Sequence, residues 1–149
     1  MRKITALCIA ALIVLGGSFH AIAAANAPKS NVNAQFLDGV YKSYNDTYFG
    51  GKLPKDTAVL YSPDPDDPTN IGATQCSLDI QTEKPTHCTI YIAPYANVAQ
   101  PVAIETLIHE SCHIATWGAA MHDGEGSHGK EWKACMMGVA LSGGFDGVW

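Results

Sequence analysis

Residues 106–113 read TLIHESCH, and this stretch indicates more about the fold than any other part of the chain. His109 and His113 stand four residues apart, which places both imidazoles on one face of a helix, about 40° apart around its axis. Neutral imidazole is a good zinc ligand, and two rings placed in this way can bind one ion. Glu110 points about 100° away from His109 and can accept a proton from a water that the metal activates. The pattern predicts a catalytic zinc site on a helix.

The residues around this stretch predict a helix over residues 101–117. Pro101 suits the first turn of a helix, and Gly118 suits its end. One face of that helix is apolar except for a single serine: Ile104, Leu107, Ile108, Ser111, Ile114 and Ala115. We expect this face to pack on the core while the histidine face borders a cleft. The apolar face argues against the alternative, which is a pair of surface histidines on an ordinary solvated helix.

A catalytic zinc site needs a third protein ligand and an open position for water. The downstream candidates are His122, Asp123, Glu125 and His128. The segment after His128 has apolar residues at helical spacing, with Ser127 as the predicted N-cap and Gly143-Gly144 as the predicted stop. A ligand at the start of a packed helix is held by secondary structure, so the sequence favours His128, with Asp123 as the alternative.

Three sequence blocks in this order resemble the SprT-like family of zinc metallopeptidase domains. They are residues 44–54 (YNDTYFGGKLP), 106–113 (TLIHESCH) and 128–132 (HGKEW), and the resemblance spans roughly residues 36 to 140. It implies a compact α+β domain that holds one Zn²⁺ through His109, His113 and His128, with Glu110 as the catalytic base. SprT-like proteins usually lack a signal peptide, and many carry additional nucleic-acid-binding modules.

The first residues of this chain predict export. Arg2-Lys3 precede an apolar run that ends near Leu15, and small residues follow as far as Ala27. This order is typical of a secretory signal peptide over residues 1–25, cleaved after Ala23 or Ala25. An uncleaved membrane anchor is the alternative, but the apolar run is short for a membrane span. We therefore expect a single domain over residues 26–149 that is periplasmic or secreted, without a stable membrane anchor.

The charge of the chain argues against binding to nucleic acid. The net charge is −5, and removal of Arg2 and Lys3 with the leader changes it to −7. An acidic domain lacks the positive surface that attracts nucleic acid or an anionic membrane. The expected partner is a protein or peptide substrate, and the protein is expected to be a monomer.

Cysteine usage predicts two disulfides. The chain has five cysteines, and loss of Cys8 with the leader leaves four, an even number suited to an exported protein. Four cysteines allow three connectivities, of which we favour Cys76–Cys88, closing a β-hairpin, and Cys112–Cys135, joining the two ligand-bearing helices. The competing hypothesis makes Cys112 a metal ligand.

The order of predicted elements indicates an α+β, zincin-like fold. An N-terminal helix over residues 33–49 precedes strands at residues 57–61, 71–80 and 87–93, and the two ligand-bearing helices follow. The strands predict a small three-stranded sheet of antiparallel type. Residues 62–70 (SPDPDDPTN) are predicted to be a solvated loop rather than a calcium site.

Two functions fit these features. The first is a zinc metalloendopeptidase in which Glu110 activates water, and the intact glutamate favours it. The alternative is a catalytically silent zinc-binding interaction module with the same fold, which the small size of the domain favours.

Overall fold

The computed structural model describes residues 31–118 and 127–148. The elements run α1 (Ala34–Tyr48), β1 (Ala58–Leu60), β2 (Gly72–Asp79), β3 (Lys84–Ile92), α2 (Gln100–Ala115) and α3 (Lys130–Leu141). This order confirms the predicted α+β class. The predicted leader and three of the candidate ligands, His122, Asp123 and Glu125, lie outside the described residues. Within the described ranges, no helix is long and apolar enough to cross a membrane.

The three strands form a mixed sheet in the order β1-β3-β2. The β2–β3 hairpin is antiparallel, as predicted, but β1 pairs with β3 in parallel. A purely antiparallel sheet was therefore the wrong expectation for β1. The chain leaves β1, passes through residues 61–71 and enters β2 on the far side of β3. It then reverses direction in the hairpin, so β3 runs between the other two strands and in the same direction as β1. This arrangement leaves β2 at an edge of the sheet.

A β-bulge sets the register of the hairpin and brings the first pair of cysteines together. Gln75 pairs with Thr89 and Ser77 with Thr86, so two residues of β3 stand opposite Cys76 alone. One of them, His87, has a φ of 48°, which is unusual for a residue other than glycine. The other bulge residue is Cys88, whose Cα lies 4.1 Å from that of Cys76 in the predicted disulfide. The strand β3 begins three residues earlier than predicted because pairing continues past this bulge.

Helix α2 lies at the centre of the fold and packs against α1, α3, β2 and β3. Its Leu107 joins the main core with Leu37 and Tyr41 of α1 and Ile90 of β3, all at most 2% exposed. Burial of such side chains supplies most of the favourable free energy of folding. The predicted apolar face of this helix is thus confirmed as the face that contacts the core, except at its exposed last residue, Ala115.

A second apolar cluster joins α2 to α3. It contains Ile108 and Cys112 of α2 and Val139 of α3. The predicted Cys112–Cys135 disulfide crosses this interface with the two Cα atoms 5.8 Å apart. Because the sulfur of Cys112 is bonded to Cys135, the hypothesis that Cys112 is a metal ligand is wrong. The predicted N-cap at Ser127 is also wrong, since α3 begins at Lys130 and its N-cap residue is a glycine without a side-chain cap.

Candidate metal centre

The three predicted histidine ligands converge on one point. His109 and His113 lie one turn apart on α2, and His128 lies just before α3. One ring nitrogen from each lies within 4.8 Å of the others, and the Nε2 atoms of His109 and His128 are 3.0 Å apart. A tetrahedral zinc site places its ligand nitrogens about 3.3 Å apart. Within the described ranges, these histidines are the only group of three potential metal ligands.

Burial keeps two of these histidines in the form that binds metal. Desolvation lowers the pKa of His109 to about 4, and the neighbouring His128 acts in the same direction. Desolvation, together with both other histidines, likewise lowers the pKa of His113 to about 4. The two rings are therefore neutral at pH 7, and neutral imidazole is the ligand that zinc requires. For the same reason, the 4.0 Å contact between His109 Nε2 and Glu110 Oε1 is not an ion pair at that pH.

Trp132 of α3 supports all three histidine rings. Its ring centroid lies 4.7 Å from that of His109, 5.7 Å from that of His113 and 4.5 Å from that of His128. Its Nε1 also donates a hydrogen bond of 3.3 Å to the backbone carbonyl of His109. The sequence placed Trp132 at the end of the HGKEW block and on the apolar face of the following segment, without assigning it a contact with the histidines. Its position one helical turn after His128 was the available signal for a role at the site.

Glu110 is held by a residue of the neighbouring strand. Its side chain is only 6% exposed, and its Oε2 accepts a hydrogen bond of 2.8 Å from Thr74 Oγ1. Burial raises the pKa of Glu110 to about 7, opposed by that hydrogen bond and reinforced by the charge of Asp64. The other oxygen, Oε1, lies on the side of His109. A general base near the metal with a pKa near neutrality suits hydrolytic chemistry, although a bound dication would lower that value.

Gly72 allows β2 to lie directly against α2. A Cβ atom at this position would lie 2.5 Å from Thr106 Cγ2 and 2.7 Å from Glu110 Oε1. Thr106 is itself buried, and its Oγ1 donates a 2.7 Å hydrogen bond to Asn97 Oδ1. Thr106 lies one helical turn before Glu110, so both side chains border Gly72 of β2. Neither Gly72 nor Thr74 was predicted, because nothing local in the sequence links them to a helix more than thirty residues away.

The aspartate-rich loop contributes to the electrostatics of the site. Asp64 is only 6% exposed, so the expectation of a solvated loop is wrong at this residue. Its Oδ1 accepts hydrogen bonds of 3.0 Å from Gln75 Nε2 and from the backbone N–H of Asp66. Amide donors, rather than a cation, therefore satisfy this carboxylate.

A cleft of about 660 Å³ lies in front of the three histidines and Glu110. One wall is the edge strand β2, and the other is formed by α2 and the start of the His128 segment. The lining residues are Asn70, Gly72, Ala73, Thr74, Leu78, His109, Glu110, His113, Trp117, Ser127 and His128. Apart from the three histidines, Glu110 is the only ionisable side chain among these lining residues.

Comparison with known proteins identifies the family. No curated protein and no solved structure matches this chain. The sequence pattern of the SprT-like family matches residues 37–145, a range that includes most of α1, the whole sheet, α2, His128 and α3. Because that match covers well over half of the sequence, the chain belongs to the SprT-like family.

Proposed function

We propose that this protein is an exported zinc metalloendopeptidase with Glu110 as its general base. The convergence of His109, His113 and His128 beside the buried carboxylate of Glu110 is the observation that carries the proposal. Three imidazole donors suit zinc, and no fourth protein ligand joins them within the described ranges, which leaves a coordination position for water. The zincin-like architecture expected from the sequence belongs to the same proposal.

The residues of the cleft have separate roles in the proposed reaction. Zinc, when bound, would polarise the scissile carbonyl and acidify a water molecule. Glu110 accepts the proton of the attacking water on Oε1 while Thr74 holds Oε2 in place. The same carboxyl then donates that proton to the amine nitrogen as the peptide bond breaks. Because Oε1 of Glu110 lies 4.0 Å from His109 Nε2, this carboxyl group is near enough to the candidate metal centre to perform both transfers.

The edge strand supports a polypeptide as the substrate. Among the residues that the structure describes, no strand pairs with the outer edge of β2, and β2 forms a wall of the cleft beside Glu110. An extended segment can add to such an edge through backbone hydrogen bonds, which requires no particular sequence. The acidic net charge of the chain disfavours nucleic acid as a partner.

Export is supported by the two disulfides. Cys76–Cys88 and Cys112–Cys135 use all four cysteines that remain after removal of the predicted leader. Such bonds persist in the periplasm or outside the cell, whereas cytosolic thiols are kept reduced. We propose a monomer in one of these compartments, acting on protein or peptide substrates.

The proposed activity is tested by digestion of a mixed peptide library with the mature, oxidised, zinc-loaded protein. Glu110→Gln, loaded with the same amount of zinc, is the matched control. We expect cleavage products from the wild type that are absent from the variant. Identical, uncut libraries from two folded, zinc-bound proteins would instead favour the catalytically silent binding module.

The ligand set is tested by equilibrium dialysis against zinc. We expect His128→Ala to lose zinc affinity and Asp123→Ala to keep it. The reverse result would assign the third ligand to Asp123, in the segment outside the described residues.

A further inference from the structure

The cleft has two chemically different ends. At one end, Thr74 of β2 hydrogen-bonds to Glu110 of α2. Further along the strand, the cleft is lined by Leu78, and further along the helical wall by His113 and Trp117. β2 and α2 therefore run side by side in the same direction, from the contact between Thr74 and Glu110 toward Leu78 and Trp117.

A contact beyond the cleft places Leu78 and Trp117 at the same end. Gly118 follows Trp117 directly, and a Cβ built on it would lie 3.8 Å from the backbone oxygen of Glu83. Glu83 belongs to the turn that joins β2 to β3, and Leu78 is next to the last residue of β2. The hairpin turn thus lies against the chain that follows α2, which brings the leucine and the tryptophan to one end of the cleft.

Neither of these large apolar side chains is part of the hydrophobic core. Both are only partly buried, and neither belongs to the two apolar clusters that hold the described elements together. Apolar side chains that line a concave site without packing into the core are typical of ligand pockets. Among the lining residues that the structure describes, no ionisable side chain other than Glu110 and the histidines is present to attract a charged substrate residue.

We infer that Leu78 and Trp117 form an apolar subsite that selects polypeptide segments with a large apolar or aromatic side chain beside the scissile bond. The subsite disfavours acidic residues at that position, since a carboxylate would lose its hydration there without gaining a cationic partner from Leu78 or Trp117. This inference rests on the proposed function, because a scissile bond exists only if the protein is a peptidase. The selective binding of peptide does not require turnover.

The size of the effect follows from the area that one side chain buries. Full burial of one phenylalanine or leucine side chain corresponds to an affinity gain of about tenfold or more. Replacement of Leu78 by lysine removes part of that surface and places a charge at the end of the cleft. Leu141 of α3 is 82% exposed and does not line the cleft, so Leu141→Lys is a matched control for the same chemical change.

The experiment measures binding to zinc-loaded Glu110→Gln, which should not hydrolyse its ligand. The probes are two fluorescein-labelled peptides of alanine, serine and glycine that differ only in a central phenylalanine or aspartate, and the readout is fluorescence anisotropy. We expect the phenylalanine peptide to bind about tenfold more tightly or better. That preference should fall to about twofold or less in Leu78→Lys and in Trp117→Ala, and should be unchanged in Leu141→Lys.

Equal binding of the two peptides, or a preference that survives both cleft variants, would overturn the inference. The result of this binding experiment can be distinguished from the result of the test for peptidase activity. Preferential binding with no cleavage by the wild type would support the apolar subsite and contradict the proposed peptidase activity. Cleavage without any preference for apolar residues would support the proposed peptidase activity and contradict the apolar subsite.

Discussion

Glu110 owes its position to residues of β2 rather than to its own helix. The pairing of His109 with His113 was visible in the sequence, because residues four apart share a helix face. The helical segment that follows His128 favoured this residue as the third ligand, and the resemblance to a family implied the same residue. Thr74, which holds the carboxylate, and Gly72, which leaves room for it, could not be predicted, because their contacts arise only when strand and helix pack together.

Loss of the Thr74 hydroxyl should impair catalysis without impairing metal binding. We expect Thr74→Val to lower kcat about tenfold with little change in KM or in zinc affinity, because one hydrogen bond to the carboxylate is lost. Thr74→Ser should restore most of the rate. Thr86→Val removes a threonine hydroxyl from β3 that does not contact Glu110 and should leave the rate unchanged. A normal kcat in Thr74→Val, measured by steady-state kinetics, would refute the positioning role.

Addition of a methyl group at Gly72 should destabilise the protein. The new Cβ would meet Thr106 Cγ2 at 2.5 Å and Glu110 Oε1 at 2.7 Å, so strand and helix must move apart. We expect Gly72→Ala to lower the free energy of unfolding by about 1–3 kcal/mol in urea titrations. Gly39→Ala is the control, since nothing lies within 4 Å of its Cβ and alanine favours the helix. Equal stability of the two variants would contradict the close contact.

The buried carboxyl of Glu110 should make the stability of the metal-free protein depend on pH. The pKa of Glu110 is about 7 in the folded protein, against 4.5 for a glutamate in the unfolded chain. A raised folded pKa gives stability that is complete below pH 4.5 and is lost as the pH rises through 7. Between these values, Glu110→Gln should gain about 3 kcal/mol in unfolding free energy relative to the wild type. Urea unfolding of both metal-free proteins across this range measures the difference, and a constant difference would argue against the raised pKa.

At the scale of elements, periodicity predicted the helices well and the strands less well. Apolar spacing located α1, α2 and α3 to within a few residues, because each buries one continuous face. The start of β3 was missed, because the bulge at His87 hides the alternation that marks a strand. The N-cap of α3 was missed as well. A side chain of capping type is present at Ser127, but the helix begins three residues later, at Lys130, with Gly129 as its N-cap residue.

The two disulfides should contribute similarly to stability and differently to metal binding. They close loops with sequence separations of 12 and 23 residues, so loss of either should cost about 3 kcal/mol. Only Cys112–Cys135 joins the helix of His109 to the helix that follows His128. We expect Cys112→Ala/Cys135→Ala to weaken zinc binding about tenfold and Cys76→Ala/Cys88→Ala to leave it nearly unchanged. Chelator competition measures both affinities, and equal values would show that the α2–α3 bridge does not support the site.

At the scale of the whole molecule, the sheet is organised around α2. This helix contacts the hairpin, α1 and α3, so one element carries two candidate metal ligands and the proposed base and also bridges the core clusters. The α+β class followed from the order of elements. The parallel pairing of β1 did not, because the partner of a three-residue strand is set by tertiary packing and not by its own sequence.

Every proposal on catalysis depends on one claim, that His109, His113 and His128 bind a single zinc ion and leave one position open. The most direct test is zinc K-edge X-ray absorption on the mature, oxidised protein loaded with one equivalent of zinc. We expect three imidazole nitrogens and one water oxygen at about 2.0–2.1 Å, with one imidazole lost in His128→Ala. A sulfur ligand at about 2.3 Å, or a spectrum that His128→Ala leaves unchanged, would contradict it.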